Sequence, residues 1–157
     1  MKLVLDVENT VTKRDNKLHL DPFTPTNSLV MVGLLIEGDE PKHYTFDHTE
    51  YDCKYEYRKK DCDEIQDILS KTTLLIAHNA QHDLMWLWET GFKYDGLIWD
   101  TMLAEYVLQK GVKEPLSLEA IAERRDLQFK KQDTLKEYMK RGYQINEIPY
   151  EELKEYL

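Results

Sequence analysis

A strand can be apolar at nearly every position only if both of its faces are covered. Ser28 to Ile36, which reads Ser-Leu-Val-Met-Val-Gly-Leu-Leu-Ile, is such a run. It commits the chain to a sheet with further elements packed above and below. Residues 2–8, Lys2-Leu3-Val4-Leu5-Asp6-Val7-Glu8, form a strand ahead of it. Alternation puts Leu3, Leu5 and Val7 on one face and Val4, Asp6 and Glu8 on the other. Glu37-Gly38-Asp39-Glu40-Pro41 is a turn, and His43-Tyr44-Thr45-Phe46 returns as a third, antiparallel strand.

The pattern then alternates between strands and helices. Asp61 caps a helix with Ile65, Ile68 and Leu69 at helical spacing, and Thr72 to Ala77 is a short strand. After His78-Asn79-Ala80 a helix carries Leu84, Met85, Leu87 and Trp88 and stops at Gly91. Leu97-Ile98-Trp99 is another apolar run, followed by a helix from Thr101 to Lys110 closed by Gly111. Further helices are predicted from Ser117 to about Arg125, from Asp133 to Arg141, and from Tyr150 to Leu157 behind Pro149. Two stretches read as irregular: Thr10 to Asn27, with turn signals at Asp21-Pro22 and Thr24-Pro25, and Glu50 to Lys60. An antiparallel start followed by strand–helix units makes a mixed α/β sheet flanked by helices.

No apolar run approaches the ~20 residues of a membrane span, so no membrane partner is expected and a cytoplasmic setting fits. Cys53 and Cys62 lack a C-x-x-C spacing, and a reducing compartment suits them better than a disulfide. A net charge of −9 argues against holding nucleic acid by bulk electrostatics, yet is compatible with a concentrated acidic site that recruits divalent cations.

Asp6 and Glu8 are two residues apart, so in a strand they point the same way, roughly 7 Å apart at about 3.3 Å per residue. Beside a core they repel unless a cation lies between them; alternatively the strand ends at Leu5 and both are solvated. In Leu74-Leu75-Ile76-Ala77-His78-Asn79-Ala80-Gln81-His82-Asp83, a strand delivers Asn79 and the next helix carries Asp83 one turn in. Asp83 either joins the first pair or simply complements the helix dipole. Trp86 and Trp88 read as core. Lys130, Lys131, Lys136, Lys140 and Arg141 read as a solvated helix face, with phosphate contact the alternative.

Asp-x-Glu on the first strand, with His-Asn-x-x-x-Asp at a strand-to-helix junction, resembles the first two motifs of the DEDD 3′–5′ exonucleases. Trp99-Asp100-Thr101-Met102-Leu103-Ala104-Glu105-Tyr106-Val107-Leu108 and Leu116-Ser117-Leu118-Glu119-Ala120-Ile121-Ala122 are similar to stretches of family-A DNA polymerase proofreading domains. The Asp21-Pro22-Phe23 loop looks most like the bacteriophage branch. The resemblance implies a ribonuclease H-like five-stranded sheet and a proofreading nuclease. It implies Asp6, Glu8 and Asp83 as metal ligands, and Tyr156 as the tyrosine of a third motif, Tyr-x-x-x-Asp; Tyr150 is the other candidate, with Lys154 where its aspartate should be, and ordinary helix packing is the alternative for Tyr156. The aspartate of that motif would lie four residues past Tyr156, beyond Leu157. The chain is therefore expected to be a domain cut within the third motif, with impaired activity.

The implied chemistry is hydrolysis at the 3′ end of single-stranded DNA with two Mg²⁺ or Mn²⁺ ions, which suit hard oxygen ligands. Asn79 and His78 are the implied substrate-side groups, and the implied partner is a polymerase domain of the same full-length chain. Alternatives are a stand-alone RNA-processing exonuclease of the same fold and a catalytically silent structural module.

Overall fold

A computed structural model of the chain describes residues 1–51, 55–127 and 133–157. The central sheet has the order β5-β4-β1-β6-β7, with β1 Lys2–Asn9, β4 Leu29–Ile36, β5 Lys42–Thr45, β6 Leu74–Ala77 and β7 Leu97–Asp100. β1 runs antiparallel to β4, and β4 to β5, whereas β6 is parallel to β1 and β7 to β6. The sheet is thus mixed, as the order of sequence patterns predicts. The helices are α1 Tyr55–Lys71, α2 Ala80–Thr90, α3 Thr101–Leu108, α4 Leu118–Arg124, α5 Asp133–Lys140 and α6 Tyr150–Tyr156.

Alternation in β1 divides the molecule. Leu3, Leu5 and Val7 are buried in a cluster with Leu75 of β6, Ile65 and Leu69 of α1, and Leu84 and Leu87 of α2. Full burial of each such side chain stabilises the fold by about 1.5–3 kcal/mol. Elsewhere Val30 and Met31 of β4 pack with Leu135, Ile145, Ile148 and Leu153, seating α5 and α6. This is the covering on both sides that the apolar β4 demands. The cover is incomplete: the register aligns Leu35, Val4, Ile76 and Trp99 across the sheet, and Leu35, Val4 and Trp99 are exposed.

Three expectations change. The region 10–27 holds a hairpin, β2 Thr12–Arg14 paired with β3 Lys17–His19. Asp15 and Asn16 both adopt positive φ (51° and 58°), the type I′ turn that a two-residue hairpin needs. Most of the segment read as loop from Glu50 to Lys60 belongs to α1, which starts at Tyr55, so Asp61 is an interior residue and not a cap. No Gly or Pro interrupts the sequence from Tyr55 to Lys71. Trp86 is core, but Trp88 is half exposed. Residues 52–54 and the Lys130-Lys131 pair lie outside the described residues, as does Cys53. Cys62 is a free thiol.

Candidate active site

β1 carries Asp6 and Glu8 on the face opposite the Leu3-Leu5-Val7 core, close to its C-terminal end. Asp6 is paired with Gly33 of β4, and Glu8 with Met31. The ladder shifts register between Glu8 and Asn9. Bulges of this kind re-aim side chains at the ends of strands. Both acids belong to the ordered strand, so the reading in which the strand ends at Leu5 does not hold.

Asp83 reaches the same place from α2. Asn79 caps that helix in the left-handed region (φ 64°, ψ 51°), which asparagine tolerates better than most residues. The turn is held by Asp100, whose Oδ1 accepts from the amide of Asn79 (3.1 Å) and whose Oδ2 accepts from that of Ala80 (3.0 Å). Oδ1 also accepts from the amides of Met102 (2.8 Å) and Leu103 (3.3 Å), capping α3. One carboxylate thus satisfies free amides at the starts of two helices. Asp83 follows in the first turn of α2 and is 3% exposed.

The third contribution comes from α6. Leu153 is fully buried beneath this helix, and Tyr156 and Leu157 pack against the same cluster. A Cβ built on Gly33 would lie 2.3 Å from Leu157 Cδ2, so a glycine directly across from Asp6 makes room for the end of α6. The Tyr156 phenol lies within the electrostatic reach of Glu8 and Asp6.

The electrostatics follow from this crowding. Desolvation, then the charges of Asp6 and Asp83, push the Glu8 carboxyl up to about 8. Desolvation, then Asp6 and more weakly Asp100, push Asp83 up to about 8. Asp6, whose residue surface stays more open, is raised by desolvation to about 6. Burial, followed by repulsion from Glu8, Asp6 and Glu119, raises Tyr156 to about 12. Among the described residues no Lys, Arg or His forms an ion pair with the three acids.

Clustered carboxylates without a counter-charge form an all-oxygen donor set, the chemistry that suits Mg²⁺ or Mn²⁺. Among the described residues no three His, Cys, Asp or Glu side chains are gathered closely enough to hold a metal ion by themselves. The chemistry of the donors suits a hard divalent cation, but water would have to supply most of its shell at this spacing.

The remaining candidates are held differently. His78 Nδ1 is 2.9 Å from Thr101 Oγ1 and Nε2 is 2.9 Å from the Leu116 carbonyl. Both ring nitrogens are thus engaged within the protein, tying β6 to α3 and to the segment before α4. Asn79 is exposed at the start of α2. His82 Nε2 bonds Asn9 Oδ1 at 2.9 Å, linking the start of α2 to the end of β1. Lys136 pairs with Glu119, and Arg141 lies over the rings of Tyr138 and Tyr143. Sequence reading missed Asn9 and Gly33 as site-building residues. Asn9 had a signal, being a polar residue continuing an apolar strand; Gly33 had none without the register.

An open mixed sheet of this order, with acids gathered at the C-terminal end of its central strand, is an α/β architecture consistent with the ribonuclease H-like exonuclease fold. The chain belongs to the 3′–5′ exonuclease family, whose family model matches residues 38–156. That span includes Asp83 and Tyr156 and excludes β1, so Asp6 and Glu8 join the site on structural grounds. No curated protein matches the sequence. Nucleases of the DEDD class generally use divalent metal ions. No helix among the described residues is long and apolar enough to cross a membrane.

Proposed function

We propose that this chain is the proofreading domain of a phage-like family-A DNA polymerase and removes nucleotides from the 3′ end of single-stranded DNA. The observation that carries the reading is the mutual electrostatic influence of Asp6, Glu8, Asp83 and Tyr156 at one end of the sheet, with no Lys, Arg or His among the described residues ion-paired to the three acids. In the proposed site Asp6, Glu8 and Asp83 would hold the divalent ions. Divalent ions, when bound, supply hydroxide at neutral pH and offset charge on the attacking and leaving oxygens.

The chain's own groups do the rest. Tyr156 keeps its phenolic proton through neutral pH, because burial and adjacent acids raise it to about 12. Its Oη therefore acts as a donor towards a water or phosphoryl oxygen and not as a base. In this reading Asn79, exposed at the N-terminus of α2, contacts the terminal nucleotide. His78 serves as a tether.

The test is a 5′-labelled single-stranded oligonucleotide incubated with Mn²⁺. Stepwise loss from the 3′ end, abolished in Asp6→Ala/Glu8→Ala, is expected. Internal cuts, or products unchanged by the double substitution, refute the reading.

A further inference from the structure

The hairpin β2–β3 leaves the sheet immediately after the bulge that follows Glu8, in the part of the chain outside the family match. It is anchored on two sides. Leu20's carbonyl accepts from Asn9 Nδ2 (3.1 Å) and from Trp86 Nε1 (3.0 Å). Val11 exchanges two hydrogen bonds with the Gln144 side chain, at 3.2 and 3.0 Å. Contacts therefore run without a break from His82, the neighbour of Asp83, through Asn9 to the base of the hairpin.

What this hairpin presents is unusual for so acidic a chain. Lys13, Arg14 and Lys17 are exposed on it and outnumber Asp15 and Asp21, against a net charge of −9 for the whole. The register puts Arg14 directly opposite Lys17, a like-charge pair that weakens the ladder. Arg14 has only a loose exposed contact to Asp15, at 3.6 Å. Apolar groups accompany the cations: Leu18 is 59%, Leu20 45% and Phe23 63% exposed. Phe23 is not on a slack loop, because Asp21 Oδ1 accepts from the amides of Phe23 (3.0 Å) and Thr24 (2.9 Å). A costly cation pair and a fixed, solvent-facing aromatic ring suit one kind of partner. Phosphates neutralise the cations while a base stacks on the ring.

We infer that the 11–27 hairpin is a strand-holding arm that binds the single-stranded nucleic acid leading into the acidic site, with Lys13, Arg14 and Lys17 on phosphates and Phe23 on a base. This rests on the nuclease reading of that site but is tested apart from it. The probe is 5′-fluorescein-labelled dT12 followed by anisotropy in Ca²⁺ between about 50 and 200 mM salt, the range over which phosphate contacts are read. Lys13→Gln/Arg14→Gln/Lys17→Gln should bind at least about tenfold more weakly, and its log–log salt slope should fall by about 2, as three phosphate contacts at ~0.7 each require. Phe23→Ala should weaken binding about tenfold with the slope unchanged.

Mn²⁺ binding, followed by electron paramagnetic resonance, reports the acidic site separately. If the parent chain takes up Mn²⁺ and shortens DNA from its 3′ end while the triple variant binds dT12 as well as the parent does, the arm is overturned and the nuclease reading stands. Failure of the parent to bind dT12 overturns the arm as well. If the parent binds dT12 through the arm but neither holds Mn²⁺ nor shortens the strand, the nuclease reading fails instead.

Discussion

Asp83→Asn should make the metal-free protein more stable at pH 8. Asp83 is 3% exposed, and its carboxyl rises from 3.8 to about 8 through desolvation and repulsion from Asp6. A carboxylate whose pKa is raised on folding stabilises the folded state fully below its unfolded value, and that contribution is lost as pH rises through the folded value. The window here therefore runs from about pH 4 to pH 8. At ~1.4 kcal/mol per pH unit the full shift is an upper limit, and relaxation and water entry cut it to roughly 3 kcal/mol. The asparagine variant keeps the shape and loses the charge. Urea unfolding in EDTA at pH 5 and pH 8 measures the difference. The parent should weaken over this range more than the variant, and Mn²⁺ should restore the parent but not the variant. A variant equal to or weaker than the parent at pH 8 refutes the argument that these acids meet desolvated and unpaired.

Gly33→Ala should push the end of α6 away from Asp6, since the new Cβ meets Leu157 Cδ2 at 2.3 Å. Hydrolysis should drop about tenfold, with a melting loss of only a few degrees because the clash falls on the far end of the Leu157 side chain. Tyr156→Phe should leave Mn²⁺ affinity within about twofold and lower turnover ten- to a hundredfold, as loss of one positioned donor does; an equal loss of both would mark the residue as structural. Trp86→Phe removes the bond to Leu20's carbonyl (3.0 Å), which Asn9 still holds. It should cost about 1 kcal/mol in urea and speed amide exchange in the hairpin ahead of global unfolding.

What could be read in the sequence depended on whether a side chain's fate was local. Leu3, Leu5 and Val7 alternate with Val4, Asp6 and Glu8, and period alone assigned the faces that the structure shows. Gly91, at positive φ, ended α2 where turn chemistry predicted. The polar start of α1 carried no apolar period, so a helix that continues into Ile65 and Leu69 could not be seen there. The Asp15-Asn16 turn was lost because its strands are three residues each and mostly polar. Trp88 sits at helical spacing with Leu84 and Leu87, but spacing cannot say whether anything covers that face. Gly33 faces Leu157 across 124 positions of sequence, and only the register of β4 against β1 brings that contact to Asp6.

Asp100 gives the molecule a shared hinge pin. The first amides of α2 and α3 close on the two oxygens of one side chain, so neither helix can fray at its start without loosening the other. Amide exchange at Asn79, Ala80, Met102 and Leu103 should accordingly proceed at matched rates, as one opening event. α3 carries Leu103 and Val107 outward into solvent, far from Asp83 in sequence. Removing the Asp100 carboxylate should free the first amides of α2 and α3 together.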